Sequence, residues 1–276
     1  MSRQTGTKIV SWNIARRSEP WRWLLDMDAD VALLQEAAEP PAEVASRVEI
    51  DPAPWDVSGG DWDWRTAVVR LSDRVRVDWI KSAPLTEAAR GEFAVSWPGT
   101  LTAATVTPPG GEPFIVVSMY AWWEKPHASI GDWIFSDAAA HRVISDLSGF
   151  IGDERNHRVL AAGDLNSFHG YHPRGWAYWK ARYQTVFTRM DALGVSLVGP
   201  QVPHGRQADP WPDELPKGSK NVPTFHSNRQ TPATATRQLD YVFASRELAE
   251  SVRVRALNEP EQWGPSDHCS LEIEVA

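Results

Sequence analysis

The chain has 276 residues, 42% of them apolar, a formal net charge of -8 and one cysteine. That length and apolar share suit a folded core and exclude a disordered chain. No run approaches the ~18 consecutive apolar residues of a membrane-spanning helix, one thiol excludes an internal disulfide, and the acidic balance argues against a broad basic surface.

The start, "MSRQTGTKIVSWN", lacks the apolar stretch of a secretory leader, so a cytoplasmic protein is expected. "KIVSWNI" alternates like a strand, with Ile9, Val10 and Trp12. Pro20 opens a short helix, "PWRWLLDM", from a first-turn position that proline tolerates. "DVALLQEA" is a buried strand ending in Glu36, and "TAVVRL" and "RVRVDWI" are expected as neighbouring strands around Ser72 and Asp73. "GTLTAATVT" and "PFIVVSMYA" flank "PPGGE", a hairpin signal. A helix is predicted over Ile130–Phe150, with Ile134, Ala138, Ile144 and Leu147 near helical spacing. The strand "VLAAGDLNSF" follows, then a second helix over Trp176–Leu193. Residues 200–236, rich in Pro, Gly and polar groups, form a long surface loop, and "RQLDYVFAS" and "SLEIEVA" close the chain as strands. No repeat or linker divides it, so a single domain over residues 1–276 is expected. Cys269, in an apolar run after "SDH", suits a packed strand residue better than a nucleophile.

Several strands end in polar chemistry. "VSWN" ends in Asn13, "VALLQE" in Glu36, "VVSMY" in Tyr120 and "VLAAGDLN" in Asp164 and Asn166, while "QLD" presents Asp240 and "GPSDHC" presents Asp267 and His268. Buried carboxylates are costly unless paired or bound to metal. Oxygen ligands suit Mg2+ or Mn2+, and no Cys/His cluster has zinc spacing. A divalent metal, a general base and neutral donors are what phosphoester hydrolysis requires. Each residue also has a plainer reading. Asp164 and Asn166 alone would shape a turn, Glu36 alone would be a solvated strand end, and His268 alone a structural histidine.

The ordered set "SWN", "LQE", "GDLN", "LDYVFAS" and "SDH" resembles the endonuclease/exonuclease/phosphatase family, which includes exonuclease III-type and DNase I-like nucleases. The resemblance implies a four-layer α/β sandwich, two packed mixed β-sheets flanked by helices, with the site at one end. It implies Glu36 as principal metal ligand with Asp267 on or beside the metal. It makes Asp164 the group that activates water and Asn166 the group that holds phosphate and water in line. Asn13 would orient the metal ligand or a phosphate oxygen, Tyr120 would donate to the phosphate, and Asp240 would fix His268 for contact with it. Some family nucleases carry a second acid two residues after the first Asn; Ala15 stands there, which disfavours a well-occupied second metal.

Trp122, Trp123 and Trp263 are the tryptophans placed to reach a substrate, and His226 in "PTFHSN" is expected to line the pocket. The other histidines have no such support. Arg16, Arg17, Arg174, Arg206, Arg229 and Arg237 lie near motif ends, as phosphate contacts or as solvated loop residues. The function implied is a monomeric, Mg2+- or Mn2+-dependent phosphodiesterase, a nuclease acting on DNA or RNA. The alternative is a phosphatase or phosphodiesterase for a small or lipid phosphoester. The inositol 5-phosphatase signature is not met, because Ser167 and Phe168 follow "GDLN" and "QLDY" stands where "CDR" is wanted. A third possibility, a non-catalytic binding relative, is disfavoured by the intact Glu36 and Asp-His pair.

Overall fold

A computed structural model describes residues 6–57, 62–124, 135–152 and 157–276. Two six-stranded mixed sheets face one another. The first contains β1 (Thr7–Asn13), β2 (Val31–Ala38), β3 (Glu49–Ile50), β4 (Trp64–Arg70), β13 (Val252–Ala256) and β14 (Leu271–Val275), in the order β13-β14-β1-β2-β4-β3. The second contains β5 (Arg76–Ile80), β8 (Leu101–Thr107), β9 (Phe114–Tyr120), β10 (Val159–Asp164), β11 (Val195–Gly199) and β12 (Asp240–Ser245), in the order β11-β12-β10-β9-β8-β5. A short parallel pair, β6 (Ser82–Pro84) and β7 (Phe93–Val95), stands apart from both.

Two-residue periodicity sorts side chains between the layers. Ile9, Val31, Leu33, Val116, Leu160, Ala162, Val242 and Ala244 meet in the core between the sheets. Their neighbours Val10, Ala32 and Leu34 face outward beneath helices α1 (Glu19–Leu24) and α2 (Ala42–Ala45). Val117, Val159, Ala161 and Phe243 face the other way, under α3 (Ser136–Leu147) and α4 (Ala177–Ala192). Strands apolar on both faces therefore produce four layers. Polar stitches cross the inter-sheet core near the site. The Gln35 amide of β2 donates to Ser118 Oγ of β9 at 2.9 Å, and Ser118 Oγ donates back to Leu34 O at 2.7 Å. Gln35 Oε1 has no partner among the described residues, a penalty of ~1–3 kcal/mol that burial of one leucine offsets.

The sequence expectations need four corrections. "TAVVRL" and "RVRVDWI" are not neighbours: β4 pairs with β2 and β3, whereas β5 crosses to the other sheet and pairs with β8. The first long helix begins at Ser136, and residues 130–134 of its expected span lie outside the described residues. Strands β11 and β13 are additional to the expected elements. The loop over 200–236 is not wholly at the surface, because Asn221, Val222 and Thr224 are buried. Cys269 is buried in the inter-sheet core, and burial pushes its thiol far above its ordinary range.

A buried ion pair holds the start of β4. Arg65 reaches Asp51 at 2.8 Å, donates to the carbonyls of Ala53 and Thr66 at 2.9 and 2.8 Å, and lies over the Trp55 ring at 4.1 Å. Asp51→Ala, which strands the guanidinium, is expected to destabilise by about 3–5 kcal/mol. Asp51→Leu combined with Arg65→Met is expected to recover most of that, both read by denaturant unfolding.

Candidate active site

The site forms where strands from both sheets end at the same side of the sandwich. Tyr120, Asp164 and Asp240 are register partners across β9, β10 and β12, so they lie in one row on the second sheet. Asn13 ends β1 and Glu36 lies near the end of β2. The β2–β4 register shifts between Leu34 and Ala37, and Glu36 has φ +46. This bulge turns the Glu36 carboxylate toward the row opposite. Asn166, also at φ +46, closes a tight turn in which its backbone N–H donates to Asp164 Oδ1 at 2.8 Å. Left-handed backbone at two non-glycine residues of one site is local strain of the kind that concentrates at functional centres.

The side chains form a connected network. Asn13 Nδ2 donates to Glu36 Oε1 at 3.2 Å and to Asp164 Oδ2 at 3.0 Å. Tyr120 OH donates to Glu36 Oε1 at 3.0 Å, and Asn166 Nδ2 donates to Asp164 Oδ2 at 3.1 Å. His268 Nδ1 lies 2.8 Å from Asp240 Oδ2, while its Nε2 is 3.8 Å from Asp164 Oδ2, too far for a direct bond. Asn13, Asp164, Asp240 and His268 are buried; Glu36 and Asp267 are half-buried.

Burial dominates the electrostatics. It pushes the Asp164 carboxyl well above its ordinary range against the pull of the His268 charge, and Asp240 and Glu36 push the same way. Burial alone would lower His268, but Asp240 first, then Asp164 and Asp267, outweigh it and raise the imidazole well above its usual range. Tyr120 is raised by burial and by Glu36, so its phenol keeps its proton and stays a donor.

Residues outside the motifs hold this geometry. Trp12 Nε1 donates to His268 O at 2.9 Å, and Ser266 Oγ donates to Asn13 O at 2.7 Å. Thr224 Oγ1 accepts the backbone N–H groups of Leu239 and Asp240 at 3.0 and 3.1 Å, and its carbonyl accepts Cys269 N–H at 2.9 Å. One threonine thus ties the Asp240 strand to the His268 segment. It stands two residues before the histidine that the sequence singled out, and nothing in a single sequence marks it.

A cavity of about 650 Å³ opens over the network, with Glu36, Tyr120, Asp164, Asn166, Asp267 and His268 on its wall. Trp123 lines it too. Three other expected substrate contacts are placed elsewhere. Trp122 packs against Trp62 and Trp97 in the outer core of the second sheet. Trp263 is buried in the inter-sheet core, and His226 turns onto its ring at 5.4 Å. Flat apolar rings in segments flanking the site found deeper burial in the cores than the cavity offers. Of the six arginines near motif ends, Arg16, Arg174 and Arg237 reach the cavity. Arg17 instead donates to Pro265 O, and Arg206 to the carbonyls of Asn258 and Pro232.

The donor set fits one kind of cation. No group of three His, Cys, Asp or Glu side chains among the described residues could enclose a metal ion. Glu36 keeps Oε2 free of the Asn13 and Tyr120 bonds, and its nearest cation is Arg16 Nε at 3.6 Å. One or two carboxylates at the edge of an open cavity match a hard ion that keeps most of its waters, such as Mg2+, and do not match zinc.

Comparisons with known proteins agree with this architecture. The model of the endonuclease/exonuclease/phosphatase family matches residues 10–268. No curated protein sequence matches the chain. Among solved structures, an AP endonuclease from Archaeoglobus fulgidus is 15% identical with a TM-score of 0.62, over 98% of this chain and 99% of that one. The catalytic domain of APE2 from Xenopus laevis is 16% identical with a TM-score of 0.64, over 98% and 91%. The catalytic domain of human Nocturnin is 18% identical with a TM-score of 0.56, over 100% and 94%. At these identities the structures speak for the DNase I-like fold, and the family match over nearly the whole length settles membership: the chain belongs to the endonuclease/exonuclease/phosphatase family, whose members hydrolyse phosphoester bonds.

Proposed function

We propose that the protein is a divalent-metal-dependent phosphodiesterase, a nuclease that hydrolyses DNA or RNA by in-line attack of water. The observation that carries this reading is the Asp164 carboxylate. It is buried, held by Asn13 and Asn166, and faces the free Nε2 of a histidine anchored on Asp240. Family membership and nuclease relatives of the same fold support it.

Glu36, with Asp267 on the same cavity wall, would hold the cation. Once bound, Mg2+ or Mn2+ neutralises phosphate charge and stabilises the departing oxygen. The remaining steps belong to the chain. Asp164, raised by its burial, accepts the proton of a water molecule as that water's oxygen forms the new bond to phosphorus. The opposite ester bond breaks with its electron pair on the leaving oxygen, which takes a proton from solvent. His268, kept charged by Asp240, donates from Nε2 to a non-bridging oxygen, and the Asn166 amide holds phosphate and water in line.

The test incubates the protein with end-labelled single-stranded DNA, duplex DNA and RNA, with Mg2+, with Mn2+ and with EDTA. Cleavage is expected with metal, absent in EDTA and restored by re-addition. Glu36→Gln is expected to shift half-maximal activation to at least ~10-fold higher metal. Full activity in EDTA would remove the metal from the proposal, and an unshifted activation curve would remove Glu36 as its ligand.

A further inference from the structure

The cavity extends beyond the catalytic groups into a wall that the chemistry above does not use. The segment between β10 and α4, together with the first turns of α4, supplies Phe168, His172, Arg174, Trp176 and Tyr183 to it. Three of these rings form a near-parallel run. His172 and Trp176 stack with centroids 5.4 Å apart at 9°, and His172 and Tyr183 follow at 6.0 Å and 19°. Arg174 lies over the Trp176 ring at 5.3 Å.

Trp176 is 43% exposed and Trp123 47%, two of the few large apolar side chains in the described residues left open to solvent, and both line this cavity. Exposed rings gathered at one cavity mark a binding surface. Arg174 and Arg237 lie on the same wall. In a chain of net charge -8, two guanidinium groups beside stacked rings favour a ligand that is both aromatic and anionic.

Resting on the phosphodiesterase reading, we propose that this wall is a nucleobase subsite and that the substrate presents an unpaired nucleoside next to the scissile phosphate. The base continues the His172–Trp176 stack, displacing the Arg174 guanidinium from the Trp176 face to a phosphate oxygen. Proteins hold single-stranded nucleic acid by stacking its bases on aromatic rings beside cationic groups that take the backbone phosphates. Duplex binding depends instead on many neutralised phosphates, which three cavity arginines in an acidic chain do not supply.

The test is equilibrium binding by calorimetry in EDTA, so it does not depend on turnover. Thymidine 5′-monophosphate is expected to bind the wild type at least ~10-fold more tightly than 2-deoxyribose 5-phosphate, the scale of one stacked base. Trp176→Ala is expected to lose that preference while leaving the sugar phosphate unchanged, and Trp176→Phe to restore most of it. Equal binding of the two ligands by the wild type, or an equal loss of both in Trp176→Ala, overturns the subsite. Neither result bears on hydrolysis, which fails or holds in the metal experiment above. In competition, a ten-nucleotide single strand that outcompetes the mononucleotide identifies a strand as the source of the base. Parity between them identifies a free nucleotide ester; both support the subsite. A blunt duplex that competes as well as the single strand overturns it.

Discussion

Asp164→Ala is expected to lower kcat at least ~10²-fold, the usual scale for a positioned general base, in steady-state hydrolysis of bis(p-nitrophenyl) phosphate with saturating metal. The magnitude discriminates between two roles. If Asp164 only shaped the turn, its loss would remove the 2.8 Å bond from the Asn166 N–H, worth roughly 0.5–1.5 kcal/mol of stability, and leave turnover in the folded fraction nearly intact. If it accepts the proton of the attacking water, the rate falls even where circular dichroism and the unfolding midpoint show a folded protein. Near-wild-type turnover in a folded Asp164→Ala variant would sink the proposed role.

The second large effect falls one residue earlier and is one of stability. Gly163 has φ +153, and a Cβ built on it would lie 1.9 Å from the backbone oxygen of Met119 and 2.8 Å from its carbonyl carbon. These are backbone atoms of the parallel partner strand, in register with Gly163, so no side-chain rotamer can relieve the overlap. β9 and β10 would have to separate at the end that carries Tyr120 and Asp164. Gly163→Ala is therefore expected to destabilise by at least ~4 kcal/mol, a large part of the ~5–15 kcal/mol that holds a typical protein folded. Urea unfolding of the soluble fraction reads it. A loss under ~1 kcal/mol would mean that the two strands are less closely apposed than the structure has them.

The sequence alone carried the chemistry-bearing strand ends. Asn13, Glu36, Tyr120, Asp164, Asn166, Asp240 and His268 each stand at or beside an apolar run, and polar groups there are legible because burial penalises them without a purpose. Runs such as "VALLQE" and "VLAAGD" likewise declared strands apolar on both faces, hence covered sheets. The ordered motifs identified the family. They also carried the expectation of four layers.

Tertiary structure decided the rest. Alternation says that a strand has two faces but not which sheet it joins, so β4 and β5 looked like neighbours and are not. The bulge that re-aims Glu36 comes from its pairing with β4, a partner about thirty residues away. Thr224 works by joining Asp240 to the His268 segment, a contact among three stretches of chain that no local pattern encodes. With 15 tryptophans of one chemistry, only packing separates Trp122 and Trp263, sealed into cores, from Trp123 and Trp176 on the cavity. Residue type sets what a side chain can do, and strand ends reveal where it is needed. The fold alone brings groups from six strand ends and a long loop to within hydrogen-bond distance of one another.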